Sequence, residues 1–279
     1  MGVDEAELTA LTETAERVAA EAGELVLAAR ESMLAGRAVA VDTKTSETDV
    51  VTAVDHESER LIRARLAELR PGEPVLGEEG GGPGHGRDEA RDGTVTWVVD
   101  PIDGTVNFLY GLPEFAVSVA AQIGGVSVAG AVVEPVSGRH WTATRGLGAW
   151  LDGRRLSTSA PPRLELALLG TGFSYLPERR ARQADMVAAL LGHVRDIRRP
   201  GSASLDLCFV AAGWTDAYFE HGLKPWDWAA GALVAEEAGA VVSLPGADPA
   251  LGSDGTLAAA ASIAEPLREV LVKCGAGGI

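Results

Sequence analysis

The chain has 279 residues, 46% of them hydrophobic and 23% charged, which describes a globular protein able to bury a sizeable core. Apolar residues recur in every segment, which excludes a disordered chain. Its 24 Lys and Arg stand against 40 Asp and Glu, a formal charge of −16, and this excludes duplex nucleic acid and an anionic membrane as main partners, because both require a positive field.

The N-terminal MGVDEAELTA carries neither a basic nor an apolar leader region, and Ala6 breaks the myristoylation pattern that Gly2 would begin. No apolar run approaches the roughly 20 residues that span a bilayer. A cytoplasmic protein is expected. Leu8, Leu11, Ala15, Val18, Ala22, Leu25 and Ala29 recur at spacings of three and four and predict an amphipathic helix over about 5–32. The polar run 44–49 interrupts it. A short apolar stretch then ends at Asp55, which is placed to cap a second helix over about 56–69, stopped by Arg70-Pro71-Gly72. Residues 74–77 read as a short buried strand ending on Glu78 and Glu79. Residues 80–93 are rich in glycine and charge and read as a mobile surface loop. A strand at 95–99 runs into Asp100-Pro101-Ile102-Asp103-Gly104-Thr105, and apolar runs at 115–122, 126–133 and 139–144 predict an antiparallel meander. A strand near 165–170 follows, then helices near 177–191 and 202–213. Cys208 lies in the second of these, in an apolar run that predicts a buried, inert thiol. A strand at 216–220, a helix at 226–238, strands at 240–244 and 257–261 and a helix at 264–273 complete the chain. Separated groups of strands and helices predict α+β layering. The whole of 1–279 reads as a single domain with two halves, about 1–155 and 156–279.

The most informative segment is the one at 100–105. Two carboxylates three residues apart at a strand end repel each other unless a cation lies between them, and hard divalent ions such as Mg²⁺ take oxygen ligands. The Ile102 carbonyl offers another oxygen, and Gly104 permits a sharp turn. If a helix begins there, the Gly104 and Thr105 amides face an anionic oxygen. Glu78 at a strand end, Asp227 at the start of an apolar helix and Glu220 after an apolar strand are further acidic candidates. Taken singly, Asp227 reads equally as a helix cap and Glu220 equally as a surface residue.

Together these residues resemble the inositol monophosphatase family of Mg²⁺-dependent, lithium-sensitive phosphatases. The blocks that carry the resemblance are Gly77-Glu78-Glu79, the run from Trp97 through Asp100, Asp103 and Thr105 to Phe108, and Trp226-Asp227-Trp228-Ala229-Ala230-Gly231 continuing to Gly239. Asp49 to Asp55 and Gly201-Ser202-Ala203 add to them. The resemblance implies a layered α/β/α/β sandwich of the inositol monophosphatase and sugar phosphatase type, and a homodimer. It implies that Glu78, Asp100 and the Ile102 carbonyl hold one Mg²⁺, that Asp100, Asp103 and Asp227 hold a second, and that a looser third lies near Glu78. Thr105 with Glu78 would orient a water activated at the metal, and the Gly104 and Thr105 amides would hold phosphate. Gly201, Ser202, Ala203 and Glu220, with Asp103 and Asp227, would face the alcohol part of a small phosphate ester, inositol monophosphate first among them. Asp55 would stand behind the ligands and Lys44 near the phosphate. Where Gly80 follows Glu78-Glu79 the family commonly has Ser or Thr, and the extra glycines suggest a freer loop.

Relatives sharing these motifs hydrolyse histidinol phosphate, fructose 1,6-bisphosphate or 3′-phosphoadenosine nucleotides, and some act as surface partners of the transcription machinery. The segment Tyr218-Phe219-Glu220-His221-Gly222 favours a polyol, since a carboxylate can accept from two neighbouring hydroxyls. Other phosphate chemistries fail on spacing. A haloacid-dehalogenase nucleophile would fall on Pro101, the glycine-rich 80–86 stretch contains no lysine for a P-loop, and no Gly-x-Ser-x-Gly elbow is present. The five histidines (56, 85, 140, 193, 221) have no zinc spacing.

Overall fold

A computed structural model of the chain describes residues 4–44, 50–82 and 93–279. The expected polar break at 45–49 and the 83–92 part of the expected mobile loop lie outside the described residues. Helix α1 (Glu5–Leu34) starts at Asp4, whose carboxylate accepts from the Glu7 amide at 2.8 Å, and it buries Leu11, Ala15, Val18, Ala22 and Val26 along one stripe. Strands β1 (Val41–Thr43) and β2 (Val50–Thr52) pair antiparallel as a separate ribbon. Helix α2 (Ala53–Leu69) follows at once, and its start differs from the expected one. Thr52, not Asp55, is the N-cap: the Thr52 hydroxyl oxygen accepts from the Val54 and Asp55 amides, and the Asp55 carboxylate accepts from the Thr52 amide at 2.8 Å. This reciprocal capping box satisfies amides at both positions, so the helix begins three residues before a single Asp cap would start it.

Strand β3 (Val75–Gly77) lies parallel to β4 (Val95–Asp103), and helix α3 (Thr105–Tyr110) leads from β4 into an antiparallel meander. The meander comprises β5 (Ala116–Ile123), β6 (Val126–Glu134), β7 (Arg139–Thr144), β8 (Gly148–Leu151) and β9 (Arg154–Arg155), giving a seven-stranded sheet in the order β3 to β9. The second half contributes β10 (Leu168–Thr171), α4 (Pro177–Leu190), β11 (Asp196–Arg198), α5 (Ala203–Ala211), β12 (Ala217–His221), α6 (Pro225–Glu237), β13 (Ala240–Ser243), β14 (Gly255–Ala260) and α7 (Ala264–Lys273). Its strands form a five-stranded mixed sheet in the order β11-β10-β12-β14-β13.

Four apolar clusters join these elements into layers. The first packs α1 and α2 on one face of the large sheet, through Leu11, Val18, Ile62, Trp97 and Val119. The second sets Leu205, Cys208, Ala230 and Leu233 of α5 and α6 against Val98, Ala120 and Trp141 on the other face. The third runs from α5 and α6 to Tyr218 and Ala258 of the second sheet, and the fourth from that sheet to α4 and α7. The expected α/β/α/β order is therefore present, and α4 and α7 close its outer face as a fifth layer. Lying between two sheets, α5 and α6 are apolar nearly all round, as a helix with no solvent face must be. Cys208 is buried, as expected. No helix among the described residues is long and apolar enough to cross a membrane.

Candidate active site

Strand β4 supplies the central carboxylates through an irregularity in its pairing. Asp100 lies opposite Ser118 and Asp103 opposite Ala116, so three steps along β4 match two along β5. Such a bulge bends the strand and re-aims its side chains, and Pro101 within it needs no ladder hydrogen bond. Asp100 and Asp103 are only 1% and 8% exposed. The Ser58 hydroxyl of α2 donates to the Pro101 carbonyl at 3.1 Å and braces the turn from behind. Gly104 then adopts φ +95°, where a Cβ would also stand 3.1 Å from the Glu114 carbonyl oxygen and 3.2 Å from that of Gly201. Only glycine meets both demands. The chain enters α3 at Thr105, whose hydroxyl lies 3.0 Å from both Asp55 Oδ1 and the Ile102 carbonyl oxygen.

Glu78 and Glu79 follow β3 in a turn held by two residues that sequence reasoning passed over. Glu59 accepts from the Glu79 amide at 2.7 Å and the Gly80 amide at 2.8 Å. Arg63 donates to Glu59 at 2.7 Å, to the Val75 carbonyl at 3.0 Å and to the Gly81 carbonyl at 2.6 Å. Gly80 and Gly82 serve close packing and Gly81 a left-handed turn at φ +61°, which corrects the expectation of a freer loop at 80–82. A Cβ on Gly80 would meet Glu59 Oε1 at 2.5 Å and Arg63 Nη2 at 2.9 Å, and one on Gly82 would collide with the backbone of Val75. Lys44 reaches over from beyond β1 and donates to Glu78 Oε1 at 2.7 Å and to Glu79 Oε1 at 2.5 Å.

The second half of the chain completes the cleft. The Asn107 side-chain amide donates to the Glu114 carbonyl at 2.6 Å and the Pro200 carbonyl at 2.8 Å, tying α3 to the segment before α5. Asp103 accepts from the Ser202 hydroxyl at 2.6 Å, and from the Ser204 amide at 2.7 Å and hydroxyl at 2.5 Å. Ser202, expected to face a substrate, thus turns its side chain onto Asp103, and Ser204 is a further partner that no motif revealed. Asp227 is the third residue of α6 and accepts from the Lys224 amide at 2.6 Å. Glu220, on β12, accepts from the Tyr218 hydroxyl at 2.5 Å. A cleft of about 490 Å³ brings together Lys44, Glu78, Asp100, Ile102, Asp103, Gly104, Thr105, Gly201, Ala203, Glu220 and Asp227. Asp55 and Ser202 stand behind its wall, each bonded to a residue that lines it.

The charges in the cleft oppose one another. Burial, then the neighbouring charges of Glu78, Asp103 and Asp227, push the Asp100 carboxyl well above the usual range. Burial, then Asp103 and Glu78, do the same to Asp227. Glu78 is pushed up to about 7 by burial, with Lys44 opposing the shift and Glu79 and Asp55 adding to it. Burial also raises Asp103 and Asp55, against hydrogen bonds from Ser202 and Ser204 to the one and from Thr52 and Thr105 to the other. The Lys44 ammonium is held above its ordinary value, because Glu78 and Glu79 outweigh the burial that opposes its charge.

Among the described residues, no three acidic, histidine or cysteine side chains are drawn up to a single point at coordinating distance. Each carboxylate accepts from a protein donor: Glu78 from Lys44, Asp100 from the Ile102 amide, Asp103 from Ser202 and Ser204, and Asp227 from the Lys224 amide. The donor set is nevertheless that of a hard cation: carboxylate oxygens and the Ile102 carbonyl on one cleft wall, with the four carboxyl groups raised by burial and those of Asp100 and Asp227 also by the others' charge. The residues present fit Mg²⁺.

The sequence from residue 7 to residue 275 matches the model of the inositol monophosphatase family. The inositol-1-monophosphatase of Mycobacterium leprae is 56% identical over 237 residues, covering 83% of this chain and 81% of that protein. The Nus factor SuhB of Pseudomonas aeruginosa is 44% identical over 237 residues, covering 81% of this chain and 82% of its own. Among solved structures, Mycobacterium tuberculosis SuhB superposes with a TM-score of 0.80 at 45% identity, over 96% of this chain and 97% of that one.

Proposed function

The chain belongs to the inositol monophosphatase family, and from that premise we propose that it is a Mg²⁺-dependent phosphomonoesterase that converts myo-inositol 1-phosphate to inositol and phosphate. One observation carries the reading: a single cleft holds mutually repelling carboxylates on one wall and the lone carboxylate of Glu220 on the other. Glu78, Asp100 and the Ile102 carbonyl would hold one ion, Asp100, Asp103 and Asp227 a second, and a looser third would lie near Glu78. When bound, Mg²⁺ supplies Lewis acidity and positive charge, bringing water's pKa toward neutrality and offsetting the charge on phosphoryl oxygens.

The chain's own groups do the rest. With its proton directed to Asp55, the Thr105 oxygen presents lone pairs to the cleft and accepts a hydrogen bond from the attacking water, which Glu78 orients from the other side. The Gly104 and Thr105 amides receive phosphoryl oxygens at the start of α3. Gly201 and Ala203 border the alcohol half of the substrate, and Glu220 accepts from two of its hydroxyls. Before any cation binds, the acidic wall repels a phosphate ester, so metal precedes substrate. The same reading has the protein working in the cytoplasm as a homodimer.

The test is phosphate release from inositol 1-phosphate, histidinol phosphate, fructose 1,6-bisphosphate and 3′-phosphoadenosine 5′-phosphate, with and without Mg²⁺ and with added Li⁺. Mg²⁺-dependent, Li⁺-inhibited release led by inositol 1-phosphate is expected. Release led by another compound keeps the chemistry and overturns the substrate. The relative named as a Nus factor favours a second reading, a surface role with the transcription machinery. Capture of the transcription machinery by an inactive Asp100→Asn protein would support it.

A further inference from the structure

Beneath the alcohol end of the cleft lies a buried floor of side chains that the reaction at phosphorus does not use. Strands β10 and β12 run parallel, with Gly170 beside Tyr218. Tyr218 and Glu220 stand two apart on β12 and so share one face of the sheet, the face on which Tyr218 packs against Ala203 and Leu207 of α5. Where they stand, the neighbouring chain offers no side chains. A Cβ on Gly172 would overlap the Glu220 carboxylate, and one on Gly170 would come within 2.6 Å of Asp206 Oδ1 and 3.3 Å of the Tyr218 ring. Tyr218 is fully buried, and its hydroxyl donates to Glu220 Oε2 at 2.5 Å. Burial, then the Glu220 charge, hold the Asp206 carboxyl well above its usual range, which favours its protonated form beside Glu220.

A glutamate at a pocket edge has three rotatable bonds, and fixing them on binding costs affinity. A phenol locked in the core removes that freedom during folding. We infer that Tyr218 is a positioning residue for substrate choice: its hydroxyl, with the bare backbone at Gly172, fixes the Glu220 carboxylate so that its remaining lone pairs face the hydroxyls of a polyol monophosphate. This rests on the function proposed above. Tyr218 acts through Glu220 and touches neither the phosphate nor the metal ligands, so its loss weakens recognition of the polyol and spares the chemistry at phosphorus.

The experiment is steady-state kinetics of the full chain with Mg²⁺ on inositol 1-phosphate and on p-nitrophenyl phosphate, whose alcohol half has no second hydroxyl. Wild type, Tyr218→Phe, Glu220→Gln and the double variant are compared, each checked by its melting temperature. Tyr218→Phe is expected to lower the ratio of the two kcat/KM values about tenfold, mostly through KM for the polyol. In the Glu220→Gln background the same change should add nothing further, because the two residues act as one unit. Gly172→Ala, which displaces the carboxylate directly, should reproduce the loss and decides the matter if Tyr218→Phe does not fold. A wild-type ratio in the folded variants, an equal loss on both substrates, or effects that add in the double variant would each overturn the proposal. If the wild type shows no preference for the polyol, it is the functional reading that fails. The crystal structure of Tyr218→Phe then judges positioning alone, and an unmoved Glu220 carboxylate overturns it.

Discussion

At the wall built from β3, β4 and the start of α6, buried Asp100 and Asp103 and half-buried Glu78 and Asp227 lie close together, and Asp100 and Asp227 feel the others' charge. At the wall built from β12, half-buried Glu220 lies beside a buried phenol and an Asp206 whose carboxyl is held well above its usual range. Both walls raise their carboxyl groups, and burial is the largest cause in each, but what remains differs. At the first wall the further causes at Asp100 and Asp227 are mostly other carboxylates, while Lys44 opposes the shift at Glu78 and serine hydrogen bonds oppose it at Asp103. At the second, the Tyr218 hydroxyl and the Arg199 charge favour the ionised form. Burial alone therefore does not distinguish a metal ligand from a recognition group. The sign of the neighbours does: crowded like charges need a cation from outside, whereas one carboxylate with a built-in donor is already satisfied.

The largest test of this contrast is Asp100→Asn. Removing the most crowded charge should lower turnover about a thousandfold, as loss of several kcal/mol of electrostatic stabilisation requires. The same change should raise the melting temperature of the metal-free protein at neutral pH, because a repulsion is relieved. Activity near wild type would break the contrast. Next comes Glu59→Gln. It removes the charge that holds the Glu79 and Gly80 amides and pairs with Arg63, and a support of that kind commonly costs metal affinity about ten- to a hundredfold. Calorimetric titration with Mg²⁺ measures this, and unchanged affinity would show that the turn keeps its shape without the cradle.

A smaller effect appears in melts of the metal-free protein against pH. Glu78, Asp100 and Asp227 have folded pKa values above their unfolded ones, so the folded chain binds their protons more tightly. Their stabilising contribution is full below about pH 4, the unfolded carboxyl range, and is lost as pH rises through the folded values. That value is about 7 for Glu78. The melting temperature should fall by a few degrees between about pH 5 and pH 8, with Mg²⁺ recovering more at the upper pH. A flat profile would mean that these carboxyls are less crowded than their positions imply. The smallest effect is that of Gly80→Ser, whose Cβ meets the Glu59–Arg63 pair and should cost about 1–2 kcal/mol in a denaturant melt. A neutral result would return the glycine to the role of loop freedom.

Several features were legible in the residues themselves. The spacing of apolar positions marked α1 to within two residues of its end, and the helix expected at 264–273 has the bounds of α7. The strand running into Asp100-Pro101-Ile102-Asp103-Gly104-Thr105 was likewise apparent, because a proline and a glycine leave a visible mark on backbone shape. Other parts were not legible. Strands β8, β9 and β11 have two to four residues each, too few for a period to show. Thr52 took the cap from Asp55 through a reciprocal bond between the two, a Thr-x-x-Asp spacing that is present in the sequence and that a single-residue Asp cap overlooks. Glu59, Arg63, Ser204 and Tyr218 carry ordinary side chains in ordinary helix and strand patterns, and nothing local separates them from a solvated face or a core ring.

The sequence by itself determined which residue types bear the chemistry, the turn that presents two of them, and the family to which the pattern belongs, since each of these depends on bonded neighbours and short spacings. Tertiary structure alone decided that Glu59 holds the turn after Glu78, that Asp103 is held by two serines about a hundred positions away, and that Gly172 is bare because Glu220 lies over it. Those facts arise from packing two sheets about one pair of helices. Contacts across such layers join residues far apart in the chain, so neither periodicity nor propensity records them.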